Sequence, residues 1–177
     1  IYPRFQEPQG VTFNSYDQHP ADKNFAVHLI PDRIKLALTV RDNISANQRD
    51  IWFGQHPGAT FGIWAVDASA TSYDYSEGEN ELPPAFQGQF DGRFVTPRSG
   101  NQQFGYGSLI DMRGFLSSSQ VDTFKVSFRP GNLSGEEYSF TLSWSKAQFV
   151  DSYSGAVILV DRYDNTTDMK TLDSLWI

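Results

Sequence analysis

Between Tyr138 and Trp144 large apolar residues hold every second position: Tyr138, Phe140, Leu142 and Trp144, with Ser139, Thr141 and Ser143 between them. Successive side chains of a strand point to opposite faces, so this pattern predicts a strand with one buried and one wetted face. The same alternation runs through Ile34–Val40 and recurs across Val121–Phe128. Further strands are predicted at Val11–Tyr16, Phe25–Ile30, Asp50–Gly54, Phe90–Val95, Ser108–Arg113 and Met169–Ile177. Ala156–Val160 is an unbroken apolar run, which predicts a strand buried on both faces. Trp52 and Trp144 fall in such strands and are expected in the core. No long segment carries a helical period. Turn signals such as Pro31-Asp32 and Arg129-Pro-Gly-Asn132 separate the runs. About nine or ten strands in this order predict an all-β fold. The expected architecture is a two-layer antiparallel β-sandwich, Ig-like or jelly-roll-like, with an extended N-terminal arm.

The arm is assigned to residues 1–24 and the sandwich domain to 25–177. Pro3, Pro8, Gly10 and Pro20 punctuate the arm. Inside it, Val11, Phe13 and Ser15 share one face of the predicted strand, and Thr12, Asn14 and Tyr16 the other. An extended segment bounded by proline is hard to stabilise alone, but it can add to a sheet edge. Both chain ends are apolar, Ile1-Tyr2 and Leu175-Trp176-Ile177, and both are expected to pack. No internal repeat is found.

At 177 residues the chain can bury a real core without disulfides. Aromatic residues make up 15% of it, Phe alone 14 positions, which suits half-buried pleated surfaces. The net charge is −7. Asp67, Asp74, Glu77, Glu79 and Glu81 cluster in residues 61–90, which hold no Lys or Arg. With no basic stripe elsewhere, nucleic acid and anionic membrane surfaces are poor partners. The absence of Cys removes thiolate nucleophiles and Cys-based zinc sites. No run reaches the ~20 apolar residues of a membrane span. The chain begins at Ile1 rather than Met, which fits an exported protein whose leader has been removed.

Catalytic chemistry is not marked. His19, His28 and His56 form no metal-binding pair, and there is neither a nucleophile elbow nor a phosphate loop. The chain is therefore expected to be no enzyme, with no cofactor. Residues 63–88 read as a long acidic loop, and long loops in compact domains are usually functional. Calcium, a hard cation that takes several oxygen donors, could draw them from that loop or from Asp161, Asp164 and Asp168. Neither set matches a calcium loop, and a solvated acidic surface explains both. Trp64, Tyr73 and Tyr75 stand beside these acids. They offer either ring faces for sugar or anchors for a protein contact. Asn43, Asn132 and Asn165 open N-x-[ST] sequons, relevant where the host glycosylates.

From Phe53 onward an ordered set of short elements stands out: Phe53-Gly54, Gly58-Ala-Thr-Phe-Gly62, Glu81-Leu-Pro-Pro84 and Gly88-Gln-Phe-Asp-Gly-Arg-Phe94. Asp111-Met-Arg113, Val121–Val126, Thr141-Leu-Ser-Trp144 and Asp168-Met169 follow. In this order they resemble a secreted β-sandwich module of surface and exported proteins in the Bacteroidetes–Chlorobi–Ignavibacteria group. The resemblance implies a sandwich near sorting or anchoring regions, and no catalytic residue carries over from it. That family often has acidic positions around the Ala-Thr segment, where this chain has Phe61 and Trp64. Those aromatics add exposed apolar surface of the kind that contacts other subunits.

Two functions are compatible with these features. The first is a structural subunit of an extracellular or cell-surface filament or layer, joined to copies of itself through strand addition by the arm. Its contact residues would be Val11, Phe13, Tyr16, Phe61 and Trp64. The second is a carbohydrate-binding module, with Trp64, Tyr73 and Tyr75 stacking on a glycan and calcium as an optional stabiliser.

Overall fold

The computed structural model describes residues 33–62, 73, 76–95, 107–115, 120–131 and 138–177. The chain divides into two units, Ile1–Asp32 and Arg33–Ile177, and every described residue lies in the second. The predicted strands Val11–Tyr16 and Phe25–Ile30 lie outside the described residues.

Among the described residues the fold is all-β and sandwich-like, with nine strands. They are β1 (Ile34–Asp42), β2 (Gln48–Gln55), β3 (Asp91–Val95), β4 (Ile110–Arg113), β5 (Lys125–Arg129), β6 (Phe140–Ser143), β7 (Ile158–Val160), β8 (Thr166–Asp168) and β9 (Ser174–Trp176). A seven-residue helix, α1 (Lys146–Ser152), follows β6. One sheet has the order β4-β2-β1-β6-β9. Strands β3 and β5 form a second sheet of two, and β7 and β8 a hairpin.

Alternation builds the main sheet. Ile34, Leu36, Leu38 and Val40 are buried on one face of β1, and Leu36 and Leu38 pair with Phe53 and Ile51 of β2. Phe140 and Leu142 extend the same face through β6. Each such side chain contributes roughly 1.5–3 kcal/mol on leaving water. The β3–β5 layer lies over this face. The Phe53 ring meets Phe124 at 4.9 Å and Phe94 at 5.8 Å, and Phe128 meets Phe140 at 4.7 Å. Phe149, fully buried on α1, comes within 5.9 Å of Phe53. Trp144 is core as expected, and its indole N–H donates to the Met169 carbonyl at 2.8 Å.

Several elements depart from the sequence pattern. β4 runs parallel to β2, so the main sheet is mixed. Trp52 pairs with Ala37 on the opposite face to the core and is half-buried. Ala156–Val160 is not buried on both faces: Ile158 and Val160 are 47% and 56% exposed on the β7–β8 hairpin. Met169–Ile177 is not one strand, because a turn after β8 breaks it before β9. In that turn Thr171 N–H donates to Asp168 O and Lys170 N–H to the Asp168 side chain.

Candidate functional site

Two Asp-x-Arg pairs are the main buried polar feature. Residues two apart on a strand share a face, so each Asp and Arg lie side by side. On β4, Arg113 donates from Nε and Nη2 to Asp111 at 2.9 Å each, and from Nη1 to Asp122. Its guanidinium lies 4.3 Å from the centre of the Phe124 ring and 5.1 Å from that of Phe61. Pairing with Phe53 and Gln55 puts Asp111 and Arg113 on the inner face of the sheet. On β3, Arg93 donates to Asp91 at 2.6 and 2.9 Å and to the Pro83 carbonyl at 2.8 Å. Arg49 adds a third bond to Asp91 at 2.9 Å. Both motifs stood in the sequence, and the twofold Asp-x-Arg in strand-forming runs was the available signal.

The sheet edges differ in how they are finished. At β4, parallel pairing turns the backbone of Ile110 and Met112 away from β2. The Glu79 carboxylate, fully buried, accepts the Met112 N–H at 2.5 Å, and the Ser108 hydroxyl donates to the Ile110 carbonyl. That edge is blocked by side chains, a recognised way of stopping strand addition.

At β5 the outer edge is uncovered among the described residues. Phe94 exchanges both backbone bonds with Ser108, at 2.8 and 3.0 Å. Alternation along an antiparallel pair then puts the β3–β5 bonds at Asp91/Arg129, Arg93/Ser127 and Val95/Lys125. The N–H and C=O groups of Val126 and Phe128 point away from β3, with no partner among the described residues. β9 is similar. Ile177 exchanges bonds with Phe140, and Trp144 N–H donates to Asp173 O, which leaves Ser174 and Trp176 facing outward. Trp176 is 72% exposed.

Of the sequence-predicted site residues, Phe61 and Tyr73 are described. Phe61 is 54% exposed and covers the Arg113 guanidinium. Tyr73 stacks on His56 at 3.8 Å with the rings 6° from parallel, so the imidazole occupies one ring face. Burial, with Glu77 nearby, pushes its hydroxyl pKa up to about 12. Val11, Phe13, Tyr16, Trp64 and Tyr75 lie outside the described residues.

The described acids among those proposed for calcium serve separate local roles. Glu77 accepts from Arg33 at 2.6 Å and Lys35 at 2.7 Å, Glu79 accepts from Met112, and Glu81 accepts from Gly107 N–H at 3.1 Å. Asp161 holds the β7–β8 turn through bonds from the Tyr163 and Asn165 N–H groups and the Asn165 side chain. Among the described residues no three His, Asp or Glu converge as a metal site. Asp67 and Asp74 lie outside them.

Asp42 was not singled out by sequence, yet it ties two loops. It accepts from Ile44 N–H at 3.0 Å, Ser45 N–H at 3.3 Å, Ser45 Oγ at 2.5 Å and Gly131 N–H at 3.1 Å. Burial raises its pKa, but the Ser45 hydroxyl and the three amides outweigh that and hold it below the usual carboxylate range. Glu77 is also lowered, burial being outweighed by Lys35 and Arg33. For such groups stability is fully present above the unfolded value of about 4 and is lost as pH falls through the folded value. Glu81 acts oppositely. Burial raises it despite the Gly107 amide and Arg93, so its share of stability grows as pH falls. Asp42→Ala is expected to lose about 2 kcal/mol at neutral pH. In urea unfolding, its deficit against the parent chain should shrink as pH falls below the usual carboxylate range, where the parent aspartate takes up its proton and gives up these bonds.

Among the described residues, no helix is long and apolar enough to cross a membrane. No protein-family model matches the chain, and no curated protein and no solved structure matches it either.

Proposed function

We propose that the chain is a non-catalytic structural subunit of an extracellular or cell-surface assembly, a filament or layer. The arm of one copy adds as a strand to the sandwich of the next. The observation that carries this reading is the contrast between edges. β4 is closed by a buried Glu79 carboxylate and the Ser108 hydroxyl, whereas the outward backbone groups of β5 and β9 have no partner among the described residues. Exposed edges invite pairing with another chain, and proteins that stay monomeric usually blunt them. A head-to-tail contact that does not close generates a filament. The likeness to a module of exported proteins supports the address.

Deleting residues 1–20 is expected to leave a folded monomer, because the buried core described above lies wholly within Arg33–Ile177. That monomer should not polymerise. Electron microscopy of the truncated and full chains checks this, and unchanged assembly after truncation contradicts the role of the arm.

A further inference from the structure

We infer that β5 is the acceptor edge and that it takes residues 11–13 of a second copy as an antiparallel strand, Phe13 opposite Val126 and Val11 opposite Phe128. This rests on the strand-addition reading above and names its docking site.

Three features favour β5 over β9. β5 has five residues and β9 three, so β5 offers the longer ladder. β5 also belongs to a layer of two strands facing a sheet of five. One more strand would extend the narrow layer over the wide one. The third feature is period. Phe124, Val126 and Phe128 pack against the core, and the outward backbone groups belong to Val126 and Phe128. Directly opposed residues of an antiparallel pair share a face. The donor must therefore offer two apolar residues two apart, and Val11 and Phe13 meet that requirement. A shift of one residue would put both on the wrong face. With Phe13 opposite Val126, Thr12 falls opposite Ser127.

That last pair makes the register testable. Ser127 bonds to Arg93 on the β3 side, so it faces the donor as a non-hydrogen-bonded position, where Cα atoms approach to about 4.5 Å. This separation suits a disulfide. The chain has no Cys, so introduced thiols report without background. Thr12→Cys and Ser127→Cys chains, each first shown to assemble, are mixed and oxidised. A mixed dimer linked through these two positions is the expected product. A second variant, Val126→Pro, removes an outward N–H while leaving the β3 ladder intact, a position where edge strands tolerate proline. Assembly should fall at least tenfold, with the thermal unfolding transition retained. If the parent chain assembles but no mixed disulfide forms, or if Val126→Pro assembles like the parent, β5 is not the acceptor and strand addition must use another edge. If the parent chain does not assemble, the functional reading itself fails.

Discussion

Arg113→Met is expected to destabilise the domain by about 3–5 kcal/mol, the range for breaking a buried ion pair by removing one partner. Asp111 is 0% exposed, and two of the bonds it accepts come from Arg113. Removing the guanidinium leaves that carboxylate without its bidentate donor in a region that water does not reach. It also removes the cation between the rings of Phe124 and Phe61 and the donor to Asp122. For a chain of this length the loss corresponds to a fall in Tm on the order of 10 °C. The double variant Asp111→Leu/Arg113→Met should recover much of it, since apolar replacements of a whole buried pair are often neutral or better. Urea unfolding followed by tryptophan fluorescence distinguishes the cases. If the single variant were as stable as the parent, the pair would contribute nothing to the fold.

Gly54→Ala is the second large effect. Gly54 has φ of 158°, and a Cβ there would sit 1.8 Å from the Ile34 carbonyl oxygen. The obstacle is backbone in the β1–β2 ladder, so no side chain can swing aside. Overpacking and a disfavoured φ together cost about 2–6 kcal/mol, a large share of typical domain stability. Gly107→Ala should behave alike, with φ of 143° and a Cβ 1.9 Å from Phe94 O. Gly155→Ala is the control. Nothing lies within 4 Å of its added carbon, and its stability should stay within ~0.5 kcal/mol of the parent. Thermal unfolding of the three variants tests the ordering.

Local alternation made much of the fold legible. Ile34 to Val40 announced β1 because a half-buried strand must alternate, and the burial follows that pattern. Phe140 and Leu142 did the same for β6, while Tyr138, in phase with them, lies beyond the strand and is 58% exposed. An apolar run without alternation carries no such information. Ala156–Val160 looked doubly buried, but its partner β8 is the polar Thr166–Asp168, in a hairpin that leaves one face wet. Helix α1 was illegible because it spans seven residues, buries only Phe149 and has no side-chain cap.

The polar network was half visible. Asp-x-Arg appears twice in strand-forming runs, and shared facing follows from the period of two. That Arg113 would also reach Asp122, or that Arg49 would join Asp91, depends on tertiary placement. Glu79 is the plainest case. It is separated by 33 residues from Met112, and sequence offered it as one acid of a loop rather than as a plug on a sheet edge. The open β5 edge was equally hidden, because it depends on Phe94 directing its backbone to Ser108.

Light scattering of the purified full chain, paired with negative-stain microscopy, tests the central claim most directly. A structural subunit joined by strand addition predicts long, regular particles with masses many times the 20.0 kDa chain. A compact monomer near 20.0 kDa at every concentration tried would contradict it, and would turn attention to glycan binding by Trp64, Tyr73 and Tyr75.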